Sequence, residues 1–424
     1  MEQECYDVAV VGAGIAGLCA AIEAAEERRA RVVVLDARRE IGGRARTLRR
    51  DGYALNEGPH ALYVDGAAMA FLRSLGCEPR GGVPDAGAGI GVDGDREGRF
   101  PVSPISLLRT RLLAGDRRAM AGLFLRLPRM RPAALADRSV DTLVRELLGT
   151  GPAARLALAL FRLSTYANDP TTTSADAGIA QLQMTARSGV RYVDGGWQTM
   201  VADLEKVAVD RGVEIRAGVK VDSIAPDGAE YAVAASGTAL RARRVVVAGS
   251  PELAARLLAP VAPVAPSWAD AARPAVVASL DVGFPDSWGA RPPFVLGIDT
   301  PTYLSVHAPV ADLAPEGHTL VHVMRYLPGN ETPDRDRDRA ECEALLDRVR
   351  PDWRRMADLV SFRPRLVAAT DQPTVDRGGL SGRPEVLVPG TSGLFVAGDW
   401  VGRDGVLVDA SVASGRAAGA AAGR

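Results

Sequence analysis

Hydrophobic and polar positions divide this chain into stretches of two periods. Residues 6–11, Tyr-Asp-Val-Ala-Val-Val, form a short β-branched run of strand length, and residues 18–27 form an alanine-rich run of helical length. Arg31-Val32-Val33-Val34-Leu35 is a second apolar strand, ending on Asp36. Residues 89–92 and 99–102 flank Asp93-Gly94 and predict a hairpin. Helical patterns follow at 104–114, 117–127, 140–148 and 152–165. An amphipathic helix opens within Tyr192–Met200 and reaches Arg211, and strands at 213–215, 219–224 and 241–248 come after it. Apolar strands at 275–282, 294–298, 303–307 and 319–326 precede a helix over 333–350, with Thr332 as its N-cap and Pro333 as its first residue. The chain closes on an apolar strand at 394–397 and an alanine-rich helix. These alternations predict an α/β fold.

The join between the first strand and the first helix is Gly12-Ala13-Gly14-Ile15-Ala16-Gly17. Gly12 permits a tight turn, Gly14 lacks the Cβ that would hold a pyrophosphate off the backbone, and Gly17 lets the helix pack close to the strand. Phosphates placed there meet free N–H groups and the positive end of the helix dipole. Asp36, with Ala37 beside it, ends the second strand 24 residues after Gly12, where a carboxylate accepts hydrogen bonds from ribose hydroxyls. Strand, glycine turn, helix, strand and acid in this order predict a dinucleotide-binding βαβ unit. A second glycine run, Gly87-Ala88-Gly89-Ile90-Gly91, has no strand before it and no helix after it, so it is read as part of the hairpin.

Composition changes this picture in a few places. A length of 424 residues exceeds one ordinary core and predicts two joined domains. Hydrophobic content of 47% with 24% charged residues is that of a globular protein, and a formal net charge of -1 argues against nucleic acid as a partner. Cys5, Cys19, Cys77 and Cys342 have no metal-like spacing, and no metal is expected; Cys5 and Cys19 are read as small buried thiols. Scattered cysteines and the acidic opening Met1-Glu2-Gln3-Glu4 predict a reduced, cytoplasmic chain without a signal peptide. Eight arginines interleave with leucines between Arg109 and Arg138, which suits either a peripheral membrane face or a solvated helical cap. The alternation from Asp334 to Arg339 reads as a solvated face.

After Asp36 the chain continues Ile41-Gly42-Gly43-Arg44-Ala45-Arg46-Thr47, and near its end it reads Ala397-Gly398-Asp399-Trp400 and then Gly405-Val406-Leu407-Val408. With the first glycine turn, these resemble the cofactor signatures of the flavin amine oxidase, phytoene desaturase and protoporphyrinogen oxidase superfamily. The resemblance implies a Rossmann-like FAD-binding domain of the glutathione-reductase-like kind, interleaved with an α+β substrate domain. Its expected boundaries are 1–80, 188–260 and 385–424 for FAD, with 81–187 and 261–384 for substrate. It implies non-covalent FAD, with no cysteine near the C-terminal signature for covalent attachment. Gly43 and Arg44 would lie along the phosphates and ribityl chain, and Gly58 and Pro59 at the reactive edge of the flavin, with His60 following at the mouth of the site. Val221 would hold the adenine through its backbone, and Asp399 would contact the ribityl or pyrophosphate. The helix N-terminus near Val406–Asp409, with Leu407 and Val408, would face the pyrimidine edge of the ring.

The resemblance implies an oxidoreductase acting on a small molecule, with oxygen or a quinone as electron acceptor. Many amine oxidases of the superfamily keep a lysine that holds a water against the flavin; the only lysines here are Lys206 and Lys220. The comparable stretch reads Leu280-Asp281-Val282-Gly283-Phe284-Pro285. The expected reaction is therefore abstraction of hydride from a carbon of a mostly apolar substrate, of desaturase or dehydrogenase type, forming C=C or C=N. Alternatives are an amine oxidase releasing hydrogen peroxide, a redox-neutral flavin-dependent isomerase, and a carrier like the GDP-dissociation inhibitors that share the fold. His60, Tyr303, His307, His322 and Tyr326 are the candidate proton acceptors, and spacing does not rank them.

Overall fold

A computed structural model describes residues 4–28, 30–101, 104–113, 115–329 and 331–424. Two seven-stranded sheets organise it. In the first, Glu214–Ala217, Val32–Asp36, Cys5–Val11, Thr238–Ala248 and Leu394–Ala397 are mutually parallel neighbours. The start of Thr238–Ala248 also pairs antiparallel with Glu230–Ala235, which pairs with Val221–Asp227. The parallel strands are apolar on both faces because helices cover both sides.

The second sheet runs Leu359–Ala369, Ala275–Phe284, Thr319–Leu327, Thr302–Ala308, Phe294–Gly297, Ile90–Asp93 and Arg96–Arg99. One face, carrying Leu280, Val282, Val321 and Val323, packs on Cys342, Leu345 and Leu346 of the helix Arg335–Val349. The other face packs Val277, Tyr303, Met324 and Tyr326 against a helical layer. That layer contains Val140–Leu148, Pro152–Thr165 and Ala175–Ser188. The alternation of each strand thus assigns even and odd positions to different partners.

Several expectations are corrected. The helix expected from Pro333 begins at Arg335, and its cap is Asp334, whose side chain accepts from Arg337 N at 3.0 Å. The face expected to be solvated is not wholly so. Asp338 is buried and pairs with the buried Arg325 at 3.2 Å, because that turn of the helix rests on the sheet. Cys19 is buried, but Cys5 is exposed, since the first strand begins at the sheet's end. The 104–114 helix stops at Arg109, and Tyr192 belongs to a strand, Val190–Val193, ahead of the helix Gln198–Asp210. The hairpin forms as expected at Ile90–Asp93 and Arg96–Arg99. Its expected end at Val102, the helix end at Ala114 and the opening Met1-Glu2-Gln3 lie outside the described residues. Among the described residues no helix is long and apolar enough to cross a membrane.

Candidate active site

Two glycine turns and two helix ends converge. A Cβ on Gly12 would lie 2.2 Å from Ala248 O, and one on Gly17 1.9 Å from Gly12 O, so both positions require glycine for packing. Gly14 differs: the nearest atom to its Cβ position is 3.9 Å away, which leaves its outer side open to a ligand. Gly42 N donates to Ala13 O at 2.9 Å, which sets the Gly42-Gly43-Arg44 turn beside the first one. Asp36 ties the turn down, its Oδ2 accepting from Ala13 N at 2.7 Å and its Oδ1 from Arg38 N at 2.8 Å. Ala37 follows it at the surface, and Val221 begins its strand as a buried residue on the same sheet.

The last helix, Leu407–Gly423, runs parallel to the first, Ile15–Arg28. A Cβ at Gly415 would lie 2.3 Å from Ala16 O, and one at Gly419 2.2 Å from Ala20 O. This register makes the last helix start about seven residues earlier, an overhang of roughly 10 Å at 1.5 Å per residue. Two helix N-termini therefore face the same region at different depths. Gly405 (φ +70°) and Leu407 (φ +55°) shape the entry to the last helix; the left-handed backbone of a leucine is strained and is held there by its surroundings. Val406 is its N-cap, and Val408 is half-buried in the first turn.

Asp399 lies fully buried beneath this entry, following Gly398 at the end of the strand Leu394–Ala397. It pairs with Arg44 at 2.9 Å and accepts from Thr370 N at 2.9 Å and from the Thr370 hydroxyl. Burial alone would raise its carboxyl, but Arg44 and Thr370 hold it below the usual range. A cavity lined by Thr165, Ala369, Arg383, Asp399, Val406 and Leu407 opens beside it. Arg383 donates to Gly405 O at 3.0 Å, and burial lowers its guanidinium to about 10. In the first turn of the last helix, Asp409 accepts from Ala68 N at 2.8 Å, and burial raises it to about 6.

Across from these groups, Gly58 (φ +98°) turns the chain into Pro59 and His60. Tyr166 Oη donates to Pro59 O at 2.8 Å from a left-handed position of its own (φ +60°) at the end of the helix Pro152–Thr165. His60 Nδ1 lies 3.0 Å from Gly58 O, and its ring is 4.5 Å from Trp197. Burial above all, with the charge of Arg44, lowers His60 to about 4, so it is neutral at pH 7.

The second sheet supplies the facing wall. Tyr303 and His307 share one face of their strand, as do His322 and Tyr326 on the next. His307 stacks on Tyr192 at 3.6 Å and meets His322 edge-on at 4.4 Å. The ladder puts His322 directly opposite Asp281. His322 Nδ1 lies 2.8 Å from Asp281 Oδ1, and Arg363 contacts the other oxygen. All five candidate proton acceptors thus gather around one region. Asp281, Thr370, Tyr166, Arg383 and Asp409 were not singled out in sequence as site residues. Two of them left a signal: Asp281 stands in the stretch comparable to the one that carries a lysine in many amine oxidases, and Asp409 directly follows Val408 in the C-terminal signature. Among the described residues no group of three His, Cys, Asp or Glu is placed to hold a metal ion.

Comparison with known proteins gives distant but consistent relatives. The coproporphyrinogen III oxidase of Propionibacterium freudenreichii subsp. freudenreichii is 25% identical over 81% of this chain and 76% of that one. The hydroxyneurosporene desaturase of Cereibacter sphaeroides is 28% identical over 59% of this chain and 57% of that one. Among solved structures, the cyclohexylamine oxidase of Brevibacterium oxydans IH-35A shares the fold, with a TM-score of 0.71, 18% identity, and coverage of 99% of this chain and 98% of that one. The family model for flavin containing amine oxidoreductases matches residues 15–422. Matched along nearly its whole length, the chain belongs to that family and is a flavin-dependent oxidoreductase.

Proposed function

We propose that this enzyme binds FAD without a covalent link and abstracts hydride from a carbon of a mostly apolar small molecule, as desaturases and dehydrogenases do, forming C=C or C=N. The glycine cradle and the offset helices support FAD. Gly14 and the N-terminus of Ile15–Arg28 suit a pyrophosphate, with Asp36 and Ala37 at the adenosine ribose and Val221 at the adenine. Gly43, Arg44, Gly398 and Asp399 would line the phosphates and ribityl chain. The overhanging N-terminus at Gly405–Val408 would face the ring, where Gly58, Pro59 and His60 form the other side. Bound there, the flavin supplies the two-electron acceptor. The residues around it orient the substrate and exclude water.

The observation that carries the substrate class is the character of the wall. Tyr192, Tyr303 and Tyr326 are buried and Tyr166 is half-buried, and loss of solvent raises all four above their ordinary range, so they stay protonated. Both lysines of the chain, Lys206 and Lys220, are exposed surface residues. No lysine ammonium therefore lies in the pocket, whose wall is aromatic and whose charged groups are paired, Asp281 with Arg363 and Asp399 with Arg44. The test is anaerobic bleaching of the bound flavin by a panel of polyenes, apolar alkenes and alcohols, set against primary and secondary amines. Bleaching by the apolar panel supports this reading. Bleaching by amines alone, with peroxide on admitting air, replaces it with an amine oxidase. Product formation from the apolar panel without net oxidation replaces it with an isomerase.

A further inference from the structure

The chain has four histidines, and three of them, His60, His307 and His322, meet at one place although they come from three separate segments. A protein this poor in histidine does not gather three by composition alone. Imidazoles are the side chains that take up and release protons near neutral pH. Within this group, one ring is distinguished. Asp281 is fully buried, and His322 with Arg363 holds its carboxyl ionised against the opposing effect of burial. An ionised carboxylate only accepts hydrogen bonds, so the 2.8 Å contact requires a proton on His322 Nδ1. Where that is the ring's one proton, Nε2 carries the lone pair. Nε2 is buried, and among the described residues no group bonds to it.

We propose that His322 is the proton acceptor of the reaction and that Asp281 is its positioning residue, with His60 and His307 forming the uncharged surround. This rests on the hydride-abstraction reading above. As one carbon gives up hydride, which bound flavin would accept, the C–H bond of a neighbouring carbon or the N–H bond of a neighbouring nitrogen breaks, its electron pair becomes the second bond of the C=C or C=N, and its proton is taken up on Nε2. Asp281 keeps the tautomer fixed and balances the imidazolium, as the carboxylate does in other His–Asp pairs. The groups facing His322 are Asp281 from its partner strand, His307 from the other neighbouring strand, and His60 from the loop across the site. Arg363 faces it through Asp281 and Arg44 through His60, while Tyr192 stacks on His307. Burial keeps His60 and His307 uncharged, so neither competes for the proton.

Two measurements on the flavin-loaded protein test this. The first needs no substrate: nitrogen-15 NMR of the four imidazoles, assigned with His→Gln variants. The expected result is an Nδ1–H tautomer at His322 at neutral pH, lost in Asp281→Asn. An Nε2–H tautomer, or an imidazolium with both nitrogens protonated across pH 6–8, overturns the proposal whatever the substrate is. The second uses whichever donor bleaches the flavin and follows the anaerobic reduction rate against pH. His322→Gln should lower the rate by about 100-fold or more and abolish the acid limb of the profile. Asp281→Asn should lower the rate and displace that limb, and His318→Gln, outside the cluster, should leave both unchanged. A wild-type rate and profile in a flavin-replete His322→Gln protein overturns the proposal while leaving the donor assignment intact. If no donor on the panel bleaches the flavin, the substrate reading fails, and the NMR result still decides the tautomer.

Discussion

In the first sheet the groups that face the site are backbone: the Gly12–Gly14 turn, the Gly42–Gly43 turn and the N-termini of two helices. In the second sheet they are side chains: Asp281, Tyr303, His307, His322 and Tyr326, spread over three strands. A backbone cradle tolerates little substitution: backbone atoms lie 2.2 and 1.9 Å from the Cβ positions of Gly12 and Gly17, and Gly42 and Gly43 hold positive φ. A side-chain wall keeps its fold when one group changes and loses chemistry instead. The two halves of the site should therefore fail in different ways when mutated.

The largest expected effect is in the cradle. Gly17→Val would drive a side chain into Gly12 O, 1.9 Å from the Cβ position, and neither backbone can yield. The protein should lose more than about 4 kcal/mol and be recovered without flavin. A well-folded, flavin-replete Gly17→Val protein would break the distinction between the two halves. Next comes the junction between cradle and wall. Asp399→Ala removes the partner of Arg44 and of Thr370 from a buried position and, because Arg44 itself is 39% exposed, should cost about 1–3 kcal/mol. Chemical denaturation with and without added FAD measures it, and the deficit should persist in both.

Acidification probes the wall. His60 and His307 have folded values below their unfolded one, so the unfolded chain binds their protons first as pH falls. Stability should be flat above about pH 6.5 on their account and drop as pH goes from there toward 4, by about 1–3 kcal/mol for His60. Asp281 and Asp399, held low, add loss in the same direction at lower pH. Asp409 runs the other way, losing stability as pH rises from its unfolded value toward 6. Denaturation midpoints of His60→Gln and the parent from pH 4 to 8 should converge at the acid end; parallel curves would show that His60 carries no share. The smallest effect is Tyr166→Phe, which removes the bond to Pro59 O and should cost about 1 kcal/mol with flavin content unchanged.

The division also explains what could be read from residues alone. The cradle is local: its strand, glycine turn, helix and acid lie within about thirty-six residues, and each element constrains its neighbour through backbone geometry that only certain residue types allow. The second sheet could be read as strands, from the alternation at 275–282 or 319–326, but not as a site. Asp281 and His322 are 41 residues apart and become partners through ladder register, which no local pattern states. A one-residue slip would turn His322 to the opposite face.

Sequence by itself determined the α/β class and the glycine cradle, because short-range sterics and hydrophobic period suffice for these, and it named a pool of candidate proton acceptors without ranking them. Tertiary structure alone decided that Asp338 and Arg325 pair in the interior, that the last helix overhangs the first, and that His322, with His307 against its ring, meets a buried carboxylate. Each of these depends on how far one element slides along another, and that distance is settled by packing across the whole core.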